Sequence, residues 1–318
     1  MKNGSQYLSR FAELYERQGR QVAKMDNKFW VNYGKIIVPI GPINGDYAIS
    51  EEQARRLMKM IPGALMVRYT YGYHEPDSCK DWYAVICDEF KDLSMFRSNY
   101  RREIKKGLEN CEVRQVDAHF IAEYGYEVYI SAFSRYKGGA KPLDKYAFNQ
   151  LISATKIFDD IYHYWAVFYN NKLIAYSMVA IYGNDEAEFS VSKFIPDYLK
   201  YYSHNSLIYT LTEHYLSKLS MQYFNTGFRS IYHKTDVQSF YIKKFLFNKK
   251  FLNMSVTYNY LLLYFINSTF PIRKLLSKAN DELRAIYLLE EINRNCNAKK
   301  SIHESNNDKV KENLHCAS

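Results

Sequence analysis

This 318-residue chain predicts an α/β fold of the α+β kind, in which helices flank a mixed, mostly antiparallel sheet. Three observations predict it. Between residues 161 and 194 lie three consecutive runs of β-branched and aromatic residues, joined by turn-forming residues suited to hairpins. Two amphipathic helix patterns then alternate with two more strand patterns as far as Asn259. Hydrophobic residues make up 47% of the chain and aromatics 17%, a composition that packs a core and is unlike a disordered one.

The elements follow in order. Residues 1–25 read as a helix carrying Phe11, Leu14, Tyr15 and Val22 on one side. FWVNYGKIIVPIGP reads as a strand that Pro39 and Pro42 end or confine to an edge. Ser50, with Gln53 three residues on, has the spacing of a capping box for the helix EEQARRLMKM. ALMVRYTYGY and DWYAVICDEF predict two strands. From Ser94, Phe96, Tyr100, Ile104 and Leu108 recur every four residues, with Arg97, Arg101, Arg102, Lys105 and Lys106 on the other faces. CEVRQVD predicts a strand, and residues 118–134 and 143–158 two helices around the loop RYKGGAKP.

The three-strand run is YHYWAVFY, KLIAYSMVAIY and EAEFSVSKF, turned at Asn170-Asn171 and at Gly183-Asn184-Asp185. It is followed by a helix from Ser203, a strand MQYFNTGF, a helix DVQSFYIKKFLF and a strand KKFLNMSVTYN. Tyr260 to Asn295 predicts two amphipathic helices broken at Pro271, expected to pack over the sheet rather than to make peripheral membrane contact. The polar stretch 296–318 is expected to be disordered. The longest apolar run, Tyr260 to Ile266, is far shorter than the roughly 20 residues of a membrane span.

The basic helix FRSNYRREIKKGLENCEVRQVD resembles the FemAB-like branch of the GNAT superfamily of N-acyltransferases, through Arg101, Arg102, Ile104, Lys105, Lys106 and Gly107. AVFYNNKLIAYSMVAIYGNDEAEF, NSLIYTLTEHYLSKLSMQYFNTGFRS and DVQSFYIKKFLFNKKF resemble the later blocks of the same family. Leu246 stands where that family often has Gly, and no Q/R-x-x-G-x-G/A loop precedes Ser203. The resemblance implies a reduced GNAT-like N-terminal half (1–93), a GNAT acyltransferase domain (94–258), a helical C-terminal extension (259–295) and the tail.

The resemblance also implies a chemistry, the transfer of an acyl group from a thioester, acyl-CoA or an acyl carrier, to a small-molecule or peptide amine. No metal is implied. Aminoacyl-tRNA is the alternative donor, less favoured because only the short loop YKGGAKPLD separates Ser134 from Tyr146. A non-catalytic GNAT-shaped binding module is the alternative from another class. Neighbouring strands carrying Val191 and Lys193, and Asn225, are expected to part and admit the donor.

The N-terminus of the helix at Ser203, with His204, Asn205 and Ser206, would cradle its phosphates on free amides. Gly227 would allow close approach and Arg229 would clamp an anion. Glu188 in the third strand is the candidate general base, with His233 and His214 as alternatives. Tyr241 is the candidate acid for the leaving thiolate. The structural readings are an N-cap for Ser203, a solvated carboxylate for Glu188 and a core aromatic for Tyr241.

No P-loop, H-E-x-x-H, G-x-S-x-G or Cys/His cluster with metal spacing occurs. The net charge of +9 favours an anionic partner. Five cysteines without C-x-x-C spacing, and no apolar run after the first basic residues, predict a cytoplasmic protein with free thiols.

Overall fold

The computed structural model describes residues 4–76, 78–134, 141–231 and 237–315. In chain order the elements begin with helix α1 (Gly4–Arg17), strands β1 (Val22–Met25), β2 (Lys28–Tyr33) and β3 (Ile36–Ile40), helix α2 (Glu51–Met60), and strands β4 (Met66–Tyr71) and β5 (Tyr83–Cys87). Helix α3 (Ser98–Asn110), strand β6 (Glu112–Val116) and helices α4 (Ala118–Tyr124), α5 (Tyr126–Phe133) and α6 (Lys145–Ser153) follow. The predicted three-strand run is β7 (Tyr162–Tyr169), β8 (Lys172–Tyr182) and β9 (Glu186–Phe194). Then come α7 (Ser203–Thr212), β10 (Tyr223–Phe228), α8 (Val237–Phe245), β11 (Asn248–Phe251) and β12 (Asn253–Tyr258). Helices α9 (Tyr260–Thr269), α10 (Arg273–Ala279) and α11 (Asp281–His315) close the described chain.

The result is a mixed α/β architecture with two mostly antiparallel sheets, as expected. One has the order β1-β2-β3-β4-β12 and the other β11-β5-β10-β9-β8-β7-β6. The chain forms two compact units whose stretches interleave along the sequence. The first comprises Met1–Arg20, Val85–Gly227 and Val237–Lys249, and the second Gln21–Ala84, Phe228–Asp236 and Lys250–Ser318. Two local facts explain the interleaving. Phe11 of α1 stacks on Tyr182 of β8 at 4.7 Å, and β12 pairs along its whole length with β4.

Turn chemistry sets the hairpins. Asn170 and Asn171 both take positive φ (47° and 62°), the conformation of a tight two-residue turn, and Gly183 takes 66°. The capping box at Ser50 and Gln53 forms in both directions. Other stretches differ from expectation. Residues 22–25 leave the first helix to become β1, turned into β2 through Asp26 and Asn27, again at positive φ (48° and 61°). The strand predicted over residues 29–42 is itself a hairpin, β2–β3. KKFLNMSVTYN is two strands in different sheets, divided at Leu252, whose N–H donates to the carbonyl of Trp82 at 3.1 Å.

Alternation on β8 and β9 builds the core of the first unit. Tyr164, Tyr176 and Met178 face α4–α6 and pack with Ile121, Val128 and Phe148. The opposite face lies under α7 and α8, where Tyr215 stacks on Phe224 at 5.7 Å and accepts from Trp165 Nε1 at 2.9 Å. A register shift between Met178 and Val179 leaves Ser190 as the extra residue of a bulge in β9.

In the second unit, α2 covers one face of the five-stranded sheet through Ala54 and Leu57, packed with Trp30, Ile37 and Val67. The C-terminal helices depart from expectation. A break at Pro271 is present, as a 3-10 turn over Phe270–Ile272. However, α9 buries only Ile266 and leaves Tyr260, Leu261, Tyr264 and Phe265 exposed, because a helix apolar all round has more apolar surface than one contact face can cover. Helix α11 runs from Asp281 to His315. Among the described residues no helix is long and apolar enough to cross a membrane.

Candidate active site

The site is a fork in the seven-stranded sheet. β9 and β10 run parallel, but their ladder holds only Tyr223↔Glu186, Phe224↔Ala187 and Asn225↔Glu188. Beyond that pair β9 continues to Phe194, still paired on its other edge with β8. The bulge at Ser190 sits just past the last rung, and it re-aims the strand. In a regular strand Glu188, Ser190 and Ser192 would share a face, whereas here Glu188, Val191 and Lys193 share one through their partners Ala180, Met178 and Tyr176.

Glu188 is half-buried at the fork. Burial holds its carboxyl above the usual carboxylate range, and the hydrogen bond donated by Tyr182 Oη to Oε2 at 3.2 Å draws it partly back. Two residues earlier on the same face, Glu186 is fully buried and accepts from Asn225 Nδ2 at 2.9 Å. Asn225 Oδ1 in turn accepts from the Gly227 N–H at 2.9 Å. Asn225 thus braces the last rung with its side chain. Gly227 takes φ +80°, and a Cβ there would stand 3.8 Å from Glu188 Oε1. Next to it, Thr226 Oγ1 is buried with no hydrogen-bond partner among the described residues, as is Ser177 Oγ on β8.

On the other face of the sheet, α7 and α8 bring His204 and Tyr241 together. Their Nε2 and Oη lie 3.2 Å apart, and His204 is enclosed by Phe194 (4.9 Å) and stacked on Phe240 (4.6 Å). Burial, reinforced by Lys244, pushes the imidazole down to about 4, so it is neutral near pH 7. Burial also raises the Tyr241 hydroxyl above its ordinary value. Lys193, on the Glu188 face, is lowered by burial and lies 4.8 Å from the Phe133 ring centroid.

The rest of the predicted cradle is engaged in helix packing. Ser203 and Ser206 are buried, and their hydroxyls donate to Tyr198 O (3.4 Å) and Ser203 O (3.0 Å). Asn205 donates to Glu103 Oε2 of α3 at 3.4 Å, and Lys244 of α8 reaches the same oxygen at 2.6 Å. What α7 does offer is its N-terminus, where Tyr202 sits in the left-handed region at φ 61° and provides no side-chain cap. Gly107 explains one glycine of the basic-helix motif. A Cβ there would lie 2.6 Å from Tyr202 O and 3.1 Å from Ser206 N, so α3 crosses α7 in backbone contact.

Of the other candidates, His214 packs edge-on against Trp165 at 4.8 Å and is lowered by burial. Arg229 belongs to the second unit, where its N–H and Nη1 donate to Tyr83 O (2.8 Å) and Asp81 O (2.6 Å). His233 lies outside the described residues. Sequence reasoning missed Tyr182, Glu186 and Thr226. A signal for the first two existed: Tyr182 and Glu186 flank the Gly183 turn and face each other across it.

No protein-family profile matches the sequence, and no curated protein does. Solved structures do. The C-terminal domain of a protein named as a lysylphosphatidylglycerol synthetase, from Agrobacterium fabrum, aligns over 84% of this chain and 95% of its own, with 12% identity and a TM-score of 0.54. FemX aligns over 81% of this chain and 93% of its own, with 9% identity and the same TM-score. At such identities the likeness is one of fold. With the forked parallel pair between β9 and β10, it shows that this chain has the GNAT-like fold of the FemAB type.

Proposed function

We propose that the protein is a GNAT-type N-acyltransferase that moves an acyl group from a thioester, acyl-CoA or an acyl carrier, to an amine. The observation that carries this reading is the end of the β9–β10 ladder at Asn225↔Glu188, with a desolvated carboxylate at the last rung. The donor's slender arm enters the fork, and its phosphates lie at the uncapped N-terminus of α7. Glu188 takes a proton from the acceptor amine, and the amine nitrogen attacks the thioester carbonyl. Backbone N–H groups beyond the last rung hold the oxyanion. The C–S bond breaks, the departing thiolate takes the Tyr241 proton, with His204 as hydrogen-bond partner of that hydroxyl, and the surplus proton on the new amide nitrogen returns to the Tyr241 oxygen. The Thr226 hydroxyl is available to the donor's amides. A cytoplasmic setting is part of the proposal, supported by the buried free thiols Cys79, Cys87, Cys111 and Cys296.

One observation favours aminoacyl-tRNA as a second donor. On α3 and at its N-cap, Arg97, Arg102, Lys105 and Lys106 are exposed and have no acidic partner among the described residues. The loop 135–140, whose shortness argues for a thioester, lies outside the described residues. Incubation with labelled acyl-CoAs, an acyl carrier and charged tRNA, each with a panel of amines, separates the readings. Acyl transfer from a thioester that is lost in Glu188→Gln is expected. Transfer from charged tRNA alone would select the second donor, and transfer from none, with the donor still bound, would leave a GNAT-shaped binding module.

A further inference from the structure

A cleft of about 490 Å³ opens in the second unit, between α11 and the face of the five-stranded sheet not covered by α2. Its volume lies in the range of small-molecule sites. Alternation places Ile36, Val38, Met66 and Arg68 on that face, and α11 contributes Ile286 and Leu289. The walls are mostly apolar, with Arg68 as the charged residue beside the hydroxyl-bearing Tyr33 and Ser230. Its guanidinium lies 5.4 Å from the Trp82 ring centroid and has no carboxylate or hydrogen-bond acceptor among the described residues. Burial alone perturbs it, pulling it down to about 10. Desolvating a cation without a partner is costly, and an oxyanion held by the guanidinium fork would offset that cost.

We propose that this cleft binds a single-chain amphiphile, its carboxylate or phosphate head on Arg68 and its chain between the sheet and α11. The test is calorimetric titration of the full chain with laurate, dodecyl phosphate and dodecanol. Both anions should bind about tenfold or more tightly than the alcohol, and their ranking identifies the head group. Arg68→Met should bring laurate to the level of dodecanol while raising the melting temperature, because it removes an unpaired charge from a half-buried position. Ile286→Trp should fill the cleft and weaken all three. No saturable binding of either anion, or anion affinity unchanged in a folded Arg68→Met, would overturn the proposal.

A separate observation concerns α9 and α10. Leu261 is 83% exposed, Tyr264 76%, Tyr260 70% and Leu275 69%, and Phe265 and Ile272 are also exposed. Residues 260–280 contain no acidic side chain. Arg273 is paired with Glu291 at 2.6 Å, but Lys274 and Lys278 are exposed without an acidic partner among the described residues. Self-association through this face would set these lysines against their copies, whereas an anionic bilayer satisfies both the apolar and the cationic side chains. Tyr260 and Tyr264 are of the type that sits at the headgroup level.

We infer that α9–α10 docks on an anionic membrane surface. In sedimentation with phosphatidylcholine vesicles, with or without phosphatidylserine, the full chain should pellet only with the anionic ones, and less so at high salt. Leu261→Glu with Tyr264→Glu should abolish pelleting with the fold intact by circular dichroism. Failure of the wild type to pellet, or a concentration-dependent dimer that the same double variant dissolves, would overturn it.

Discussion

At the scale of single residues, the proposed chemistry rests on the carboxyl of Glu188. Its elevated pKa means that ionising it costs free energy in the folded protein. The reactive base is therefore present only above a pH higher than the roughly 4.3 of a free glutamate. The rate of transfer should rise with pH through that elevated value. Glu188→Gln should lower kcat/KM by about tenfold or more and remove this rising limb. The variant should be at least as stable as the parent, because the amide carries no charge to desolvate.

Tyr182 offers a finer test, since its hydroxyl holds the charged form of Glu188 and lowers the carboxyl's pKa. Tyr182→Phe should shift the rising limb to higher pH while leaving the plateau rate near that of the parent. A limb that does not move would mean that Glu188 is not the titrating base.

At the scale of elements, Gly107 and Leu246 show how far a motif can be read without coordinates. The basic-helix motif gave Gly107 a place but no reason, and the reason is that a Cβ there would lie 2.6 Å from the carbonyl oxygen of Tyr202, the N-cap of α7. The obstacle is backbone, which cannot yield to an added Cβ as a flexible side chain can. Gly107→Ala should therefore force α3 and α7 apart and cost about 1–3 kcal/mol in urea denaturation, despite alanine's better helix propensity. An unchanged midpoint would show that the crossing is loose. Leu246, the apparent departure from a family glycine, takes φ 60°, so the helix end keeps its left-handed geometry with a less suitable residue.

Legibility followed locality. Asn170-Asn171 could be read because the turn's chemistry lies in the two residues that make it. Asp26-Asn27 carries similar chemistry, but the apolar spacing of Phe11, Leu14, Tyr15 and Val22 read as one uninterrupted helix and hid it. The bulge at Ser190 has no sequence signature. Without it, alternation separates Glu188 from Val191 and Lys193, so the site's face could not be derived from residue order. Ser203, Asn205 and Ser206 read as a cradle because small polar residues at a helix start suit both a ligand and a neighbouring helix, and the position of α3, whose Glu103 Asn205 meets, could not be read from residue order.

At the scale of the whole molecule, two half-buried imidazoles tie stability to pH. His204, among Phe194, Phe240 and Tyr241, and His163, 3.0 Å from Tyr215 Oη, are both pushed down to about 4 by burial. In the unfolded chain each binds its proton near 6.5. Between these values the unfolded state holds more protons than the folded one, so stability rises with pH across the window. Their contribution is complete above about 6.5 and is lost as pH falls towards 4. At about 1.4 kcal/mol per pH unit, each histidine can remove on the order of 2–3 kcal/mol at the acid end, a large share of the roughly 5–15 kcal/mol that holds a domain together. Urea midpoints of the parent should fall steeply from pH 7 to pH 4.5. His204→Gln, which keeps a polar partner for Tyr241 but cannot charge, should flatten that slope by about half, and adding His163→Gln should flatten most of the remainder. Parallel slopes in parent and double variant would assign the acid sensitivity to other groups and would mean that His204 is protonated where it sits, ready to act on the Tyr241 hydroxyl as a cation rather than as a neutral acceptor.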